Sequence, residues 1–361
     1  MRNLTKITIE NFKSIKNQTL ELGQLNVFIG ANGSGKSNLI EVFRFLHEIV
    51  NQNLNSYTQK KGGADNLLYY GRKISKEMRF FLEFPESKRY SNSYELKLGF
   101  AEPDSFFIEL ETLSSNGKNE HYLQLNIAKE SRINESDSIK ARQIMPLLNG
   151  LQIFHFHDTS DTAAVKGTSD VDDNRFLRPQ AENLPAYLYW MQEKEPGYFK
   201  NIEDTIRQIA PFFGGFNLAP LKLNESKIRL EWKEKGHDKY FNASSLSDGT
   251  LRFICLATLL MQPDIDLPPV ILLDEPELGL HPVAINLLAD LLKSASLRTQ
   301  VIVATQSVTL INNLEPEDVW TVDREDDQSV FRHLAKADMS AWLDGYSLGE
   351  LWEKNIFGAR P

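Results

Sequence analysis

The feature that most constrains this chain is the run Gly30-Ala31-Asn32-Gly33-Ser34-Gly35-Lys36-Ser37, set between an apolar stretch and an amphipathic one. Upstream, Leu25-Asn26-Val27-Phe28-Ile29 predicts a buried strand. Downstream, Leu39, Ile40, Val42, Phe43, Leu46, Ile49 and Val50 recur at helical spacing. Glycines between a strand and a helix let successive backbone N–H groups curl around a phosphate, and the helix N-terminus adds partial positive charge. The pattern G-x-x-x-x-G-K-S assigns Lys36 to the β- and γ-phosphates and the Ser37 hydroxyl to Mg²⁺, with Asn38 closing the nucleotide-binding stretch. The sequence therefore predicts a nucleoside triphosphate site.

A second half of that site lies far along the chain. Pro268-Pro269-Val270-Ile271-Leu272-Leu273-Asp274-Glu275-Pro276 predicts a buried strand ending in two carboxylates. Beside the phosphate loop, Asp274 stands where Mg²⁺ needs an outer ligand, and Glu275 where a group can orient or deprotonate the attacking water. Ser244-Ser245-Leu246-Ser247-Asp248-Gly249-Thr250 precedes an apolar helix and has two readings, a second anion site or a well-capped helix. Val301-Ile302-Val303-Ala304-Thr305-Gln306-Ser307 predicts a strand ending in polar residues, where a γ-phosphate sensor such as Gln306 would sit.

Composition narrows the setting. With 361 residues there is room for one large domain or two modest ones, and 41% apolar residues suffice for a core. No apolar run is long enough to span a bilayer, and the N-terminus lacks a signal-peptide stretch. Cys255, the single cysteine, falls in a predicted buried helix and suits a reducing cytoplasm. A net charge of −9 argues against a dedicated nucleic-acid coat. The most basic stretch, Lys60 to Arg89 with Lys61, Arg72, Lys73, Lys76, Arg79 and Lys88, reads either as a solvated face or as a nucleic-acid groove. Arg72 and Arg175 are the candidate phosphate or nucleic-acid contacts.

Taken in order, the chain predicts strands at Leu4 to Phe12 and around Leu20 and Leu22, and a loop or lid over residues 51 to 75. Alternation from Met78 to Ile127 predicts an antiparallel meander, with turns at Pro85-Glu86-Ser87, Glu102-Pro103-Asp104 and Ser115-Asn116-Gly117. A short helix and the strand Leu151 to Phe156 follow, then a polar, mobile segment from Asp158 to Asp173. Two helices are expected between Leu184 and Ile209, broken at Pro196-Gly197, and strands at Phe216 to Leu223 and Ile228 to Trp232. No heptad pattern runs through residues 51 to 245, which excludes a long coiled-coil arm. His155 and His157 share one face of their strand, with Asp158 adjacent, and have two readings, a metal site or a loop that couples the second lobe to the nucleotide.

In this order, the phosphate loop, Leu246-Ser247-Asp248-Gly249, Asp274-Glu275-Pro276 and Thr305-Gln306-Ser307 resemble the ABC-type ATPases of the SMC/RecF/OLD group. The opening Ile7-Thr8-Ile9-Glu10-Asn11-Phe12-Lys13-Ser14 is similar to that group's typical start. Glu277-Leu278-Gly279-Leu280-His281-Pro282 is similar to its dimer-contact loop, and His155-Phe156-His157-Asp158-Thr159-Ser160 resembles a segment of compact bacterial AAA/OLD-like ATPases without a coiled coil. The implied fold is α/β: an ABC-type P-loop ATPase head with a mixed sheet, an antiparallel β lobe and a helical insertion lobe. On this division the core is residues 1–52 and 244–335, the inserted lobe 53–243, and a helical tail 336–361. The resemblance implies ATP and Mg²⁺ as cofactors, Glu275, Lys36 and Gln306 as catalytic residues, and a head-to-head dimer. In that dimer Leu246, Ser247, Asp248 and Gly249 act in trans, and Gly279 and His281 sit at the contact. Gln306 stands where the group often has His, so it senses phosphate without relaying a proton. His281 stands where transporters of the ABC class usually have Asp.

The function so implied is an ATP-dependent switch that controls a separate effector, a nuclease or toxin, in bacterial anti-phage defence. The stretch after Ser307 is expected only to finish the core, without the TOPRIM domain that OLD nucleases carry there. The alternative is a RecF-like clamp on duplex DNA. A transporter's ATPase subunit ranks below both, and no membrane partner is expected.

Overall fold

The computed structural model describes residues 3–87, 90–115, 118–124, 127–335, 337, 342 and 345–360. Strand β1 (Lys6–Phe12) turns into β2 (Ile15–Glu21), and β3 (Leu25–Ile29) leads through the glycine loop into α1 (Lys36–Val50) and α2 (Leu54–Lys60). A meander follows: β4 (Glu77–Ser87), β5 (Tyr90–Ala101), β6 (Ser105–Ser115) and β7 (Lys118–Gln124). The middle of the chain supplies α3 (Ile139–Asn149), β8 (Ile153–Phe154), β9 (Thr168–Asp170), α4 (Leu184–Lys194) and α5 (Pro196–Ile209). Short strands β10 (Phe213–Phe216), β11 (Lys227–Arg229), β12 (Glu231–Glu234) and β13 (Tyr240–Asn242) come next. The last third alternates α6 (Asp248–Met261), β14 (Val270–Asp274), α7 (Pro282–Ser296), β15 (Gln300–Thr305) and α8 (Val308–Ile311). It closes with β16 (Val319–Glu325), β17 (Gln328–His333) and α9 (Leu348–Glu353).

Two six-stranded sheets organise these elements. The central one has the order β17-β16-β3-β15-β14-β8 and is parallel except for β17. Its inner strands β3, β14 and β15 are buried on both faces, which is why they read as mainly apolar runs, interrupted only at Asn26 and at the ends Asp274, Gln300 and Thr305. Val27, Ile29, Ile271, Leu273, Val301 and Val303 face a core built with α4, α6 and α7. Phe28, Val270, Leu272, Ile302 and Ala304 face the opposite core, shared with α1 and the second sheet. That second sheet is antiparallel, in the order β2-β1-β4-β5-β6-β7. The mixed sheet and the antiparallel β layer both match the expected fold class.

The stretch expected as an insertion, 53–243, is shared between the two sheets. Its β4 pairs with β1 of the first segment, and its β8 pairs with β14 of the last. Several local expectations are corrected. Residues 51 to 75, expected as a loop or lid, hold helix α2 and then irregular turns, and Leu54, Tyr57, Leu67 and Leu68 are buried against the antiparallel sheet. The segment Asp158 to Asp173 is pinned, since β9 pairs with β11 and Ala163 and Val165 are buried. Pro85-Glu86-Ser87 belongs to β4, while Asn116 and Gly117 lie outside the described residues. The strand expected over Leu151 to Phe156 is only two residues, and the one expected at Phe216 ends there. Pro196 opens α5, where its missing N–H costs nothing. Among the described residues no helix is long and apolar enough to cross a membrane.

One buried amide ties the sheets together. Gln300 accepts from Leu4 N (3.1 Å) and donates to the carbonyls of Leu4 and Gly23 (both 2.8 Å). Gln300→Leu should leave the buried N–H and carbonyl of Leu4 unpaired, Gly23 O keeping its bond from Asn26 Nδ2 (2.9 Å), and cost on the order of 3 kcal/mol. Chemical denaturation checks this, and an unmoved midpoint would show that other contacts hold the sheets in register.

Candidate nucleotide site

The site begins with strand register. β3 pairs in parallel with β15 so that Ile29 stands beside Thr305, and β15 with β14 so that Ala304 stands beside Asp274. The glycine loop, Gln306 and the Asp274-Glu275 pair therefore leave the sheet at one level, its C-terminal edge, where open α/β sheets hold ligands. Lys36 is buried under the loop and its ammonium donates to the carbonyls of Gly30 (2.5 Å) and Ala31 (3.0 Å). Ser37 is exposed in the first turn of α1.

The loop is gripped from outside by β17. Ser329 Oγ donates to Ser34 O (2.5 Å), Ser14 Oγ lies 2.6 Å from Ser329 Oγ, and Asn38 Nδ2 donates to Ser14 Oγ at 2.7 Å. Each hydroxyl has one proton, so Ser329 spends its own on Ser34 and Ser14 donates to Ser329. Gly35 has φ +121°, and a Cβ there would lie 2.0 Å from Ser329 Oγ. Only glycine fits between α1 and β17.

Electrostatics marks the same spot. Burial lowers the pKa of Lys36, and the nearby carboxylates Glu275, Asp274 and Glu277 pull it back up. Burial raises the carboxyl of Asp274, and Glu275 raises it further. Burial also raises Glu277, against the hydrogen bond from Thr305. The carboxyls of Glu275, Asp274 and Glu277 and the Lys36 ammonium thus act on one another at the strand ends. Asp274 and the exposed Ser37 hydroxyl supply the hard oxygen donors Mg²⁺ prefers. Glu275 adopts φ +45°, uncommon for a residue with a side chain. Its carboxylate accepts from Gln306 Nε2 at 2.5 Å, and the same Nε2 donates to Asn32 Oδ1 at 2.8 Å. Gln306 thus bridges the phosphate loop and the second carboxylate.

Other expected site residues stand apart from the loop. Ser247 caps α6, accepting from Thr250 N (3.2 Å) and pairing with Thr250 Oγ1 (2.8 Å). Leu246 is buried, and Asp248 lies 3.8 Å from Lys166. A Cβ on Gly249 would meet Gly279 O at 2.6 Å, so the 246–249 stretch and the 277–280 loop need glycine to pack this closely. His281 caps α7 through Val283 N. Among the described residues no hydrogen bond joins residues 246–249 to the phosphate loop. Two arms of Arg252, one turn into α6, reach Leu278 O (2.6 Å) and His157 O (2.7 Å). His157 Nε2 in turn donates to Asp274 O at 2.8 Å.

His155 and His157 do not share a metal. Their rings are 6.0 Å apart; His155 accepts from Arg44, and His157 is committed to Asp274. Among the described residues no cluster of three His, Cys, Asp or Glu could hold an ion. Asp158 is exposed and accepts from Ser160. Three cations of the basic stretch are paired: Lys61 with Glu41, Arg72 with Glu102, and Arg79 with Glu10 and Glu95, while Lys60 is exposed. Lys73, Lys76 and Arg175 are exposed, and Lys88 and Arg89 lie outside the described residues. Sequence reasoning missed Arg252, Ser329 and the part of Glu277 in the site. Glu277 alone had a local signal, a third acidic residue three positions after Asp274.

The family described as AAA domain, putative AbiEii toxin, Type IV TA system, matches residues 25–312. Among solved structures, the chain is similar to an Smc head bound to the C-winged helix domain of ScpA (TM-score 0.63, 18% identity, 93% of this chain and 99% of that one). It is similar also to a Pyrococcus furiosus Smc head bound to the C-terminal domain of ScpA (TM-score 0.63, 16%, 95% and 99%). A third is the Pyrococcus yayanosii Smc head with a coiled coil and joint (TM-score 0.56, 14%, 95% and 99%). At these identities the likeness is one of fold. An uncharacterised protein of Methanocaldococcus jannaschii is 48% identical over 45 residues, 12% of this chain and 14% of that relative's length.

The site carries a pH signature. Burial, with Arg44 and His157 acting in the same direction, pushes the His155 imidazole down to about 4 from an ordinary 6.5. The unfolded chain therefore takes up this proton first as pH falls. Stability present above about 6.5 is lost progressively toward 4. Urea midpoints from pH 7.5 to 4.5 should fall more steeply for the parent than for His155→Gln; parallel curves would show that the buried neutral imidazole contributes nothing to the acid lability.

Proposed function

The chain belongs to the AAA-domain family of the putative AbiEii toxin, and from that premise we propose that it binds and hydrolyses ATP as a switch controlling a separate effector. The observation that carries this reading is the single side chain of Gln306, held between Asn32 of the phosphate loop and Glu275. A residue placed so reports the γ-phosphate to the base and the base to the loop. In the proposed reaction Lys36 and the loop N–H groups hold the phosphates, Glu275 orients water and accepts its proton, and Gln306 keeps Glu275 aligned. Mg²⁺, held by Ser37 and Asp274, would neutralise the phosphate charge that builds up during transfer.

Ser247 caps α6, and among the described residues no hydrogen bond ties residues 246–249 to the chain's own phosphate loop, which supports a head-to-head dimer with ATP between the loop of one copy and Ser247 and Gly249 of the other. ATP then contributes anionic contacts to both faces, and loss of the γ-phosphate removes one set, so dimer affinity follows nucleotide state. The effector is proposed to be a nuclease or toxin, in defence against phage. The contacts from Arg252 to Leu278 and His157, and from His157 to Asp274, support a loop at 155–158 that passes nucleotide state outward. Pairing of Lys61, Arg72 and Arg79 with carboxylates weighs against a clamp on duplex DNA.

Glu275→Gln should keep ATP binding and slow turnover by about 100-fold or more, the scale of a lost general base. Turnover at the parent rate would remove Glu275 from that role. Ser247→Arg should bind ATP as one copy yet fail to dimerise, read as native mass with ATP and Mg²⁺. ATP-driven dimers of this variant would sink the sandwich arrangement. Native mass spectrometry of the Glu275→Gln protein purified from its host tests the effector: a stoichiometric nuclease or toxin supports the switch, and bound duplex DNA with no protein partner replaces it with the clamp.

A further inference from the structure

Resting on the ATPase reading above, we propose that Glu277 is a positioning residue: its carboxylate holds the end of β15 so that the Gln306 amide stays on Glu275 and Asn32. A single oxygen does this. Glu277 Oε1 accepts from Thr305 Oγ1 (2.5 Å) and from Gln306 N (3.2 Å). Thr305 Oγ1 accepts from Ser307 N (3.0 Å), and Ser307 Oγ caps α8 through Leu310 N (3.1 Å). Thr305, Gln306 and Ser307 are thereby all referred to one carboxylate on the neighbouring strand's exit loop.

Gln306 needs such a hold. Its side chain has three rotatable bonds, and placing the amide on two acceptors 2.5 and 2.8 Å away costs rotamer freedom unless the backbone is already fixed. Glu277 fixes that backbone from the same turn that carries Glu275, so the base and its aligner are set by one short segment. The turn is closed by Leu278 N to Glu275 O (3.1 Å) and by Leu280 N to Glu277 O (3.0 Å).

The choice of a carboxylate is expensive for a merely structural part. The Oε2 atom is closed off from solvent and has no hydrogen-bond partner, and among the described residues no lysine or arginine forms an ion pair with it. It also shares the strand ends with Asp274 and Glu275. An unpaired buried oxygen in a native fold calls for a reason, and an unusually strong acceptor for Thr305 and Gln306 supplies one.

Glu277 touches neither the phosphate loop nor Lys36 by hydrogen bond, so its removal should loosen Gln306 without weakening nucleotide binding. The test uses the full chain labelled with ¹⁵N-glutamine, the Gln306 side-chain amide being assigned by its loss in Gln306→Leu. The parent should show two well-separated amide protons, Glu277→Ala a pair collapsed toward the position of a free side chain, and Glu277→Gln, which keeps the accepting oxygen, a recovered splitting. In turnover, Glu277→Ala should lower kcat by about tenfold with ATP Kd within about twofold, and should lower it no further in a Gln306→Leu background. Unchanged Gln306 signals in Glu277→Ala, or a full additional loss in the Gln306→Leu background, would overturn the proposal. If the parent turns over no ATP, the ATPase reading fails while the amide signals still decide where Glu277 acts. Should the alanine variant not fold, Thr305→Val removes one of the two bonds and is read in the same way.

Discussion

Parallel pairing of β3 with β15 and of β15 with β14 is the constraint from which the site follows. A one-residue slip in either pair would exchange the two buried faces of a strand, sending Val27 and Ile29 into the core that Phe28 occupies. Because both faces are apolar and differently shaped, the register has one solution. That solution brings Ile29, Thr305 and Asp274 out at one edge, where the bonds of Gln306 to Asn32 and Glu275 can join the loop to the carboxylates.

At that edge the fold gathers charge that it does not balance by itself. Lys36 is turned inward onto the carbonyls of its own loop, while three carboxyls sit at the strand ends in reach of its field. Burial lowers the first and raises Asp274 and Glu277, so these groups are driven toward their neutral forms. Polyphosphate and a divalent cation together are the ligands that reverse both penalties at once.

Much of this was legible because it is local. The strand, glycine loop and helix from Leu25 to Val50 follow from adjacent residues, and the strand ending at Asp274 from one apolar run. What escaped was made by distant partners. Residues 51 to 75 read as polar, yet Leu54, Tyr57, Leu67 and Leu68 find a sheet that periodicity in their own neighbourhood cannot announce. Asp158 to Asp173 is held by a three-residue strand pairing with residues nearly sixty positions away. Ser329 meets the phosphate loop only because β17 folds back over it, and the third acidic residue of the 274–277 stretch has meaning only once β15 lies alongside.

The place of β3 in its sheet also sets the order in which the molecule can be built. Its two neighbours, β15 and β16, pair Val27 with Val303 and with Val319. During synthesis the glycine loop therefore emerges early, on a strand with both edges unpaired, and waits for almost the whole remaining chain. Contacts of that sequence separation make for slow closure, and an apolar strand with open edges is a template for association with other chains. The antiparallel sheet is free of this delay, since β1, β2 and β4 to β7 all lie within the first third or so of the chain and share a core with α1. It gives α1, and through it the glycine loop, a surface to pack against while the partners of β3 are still being made.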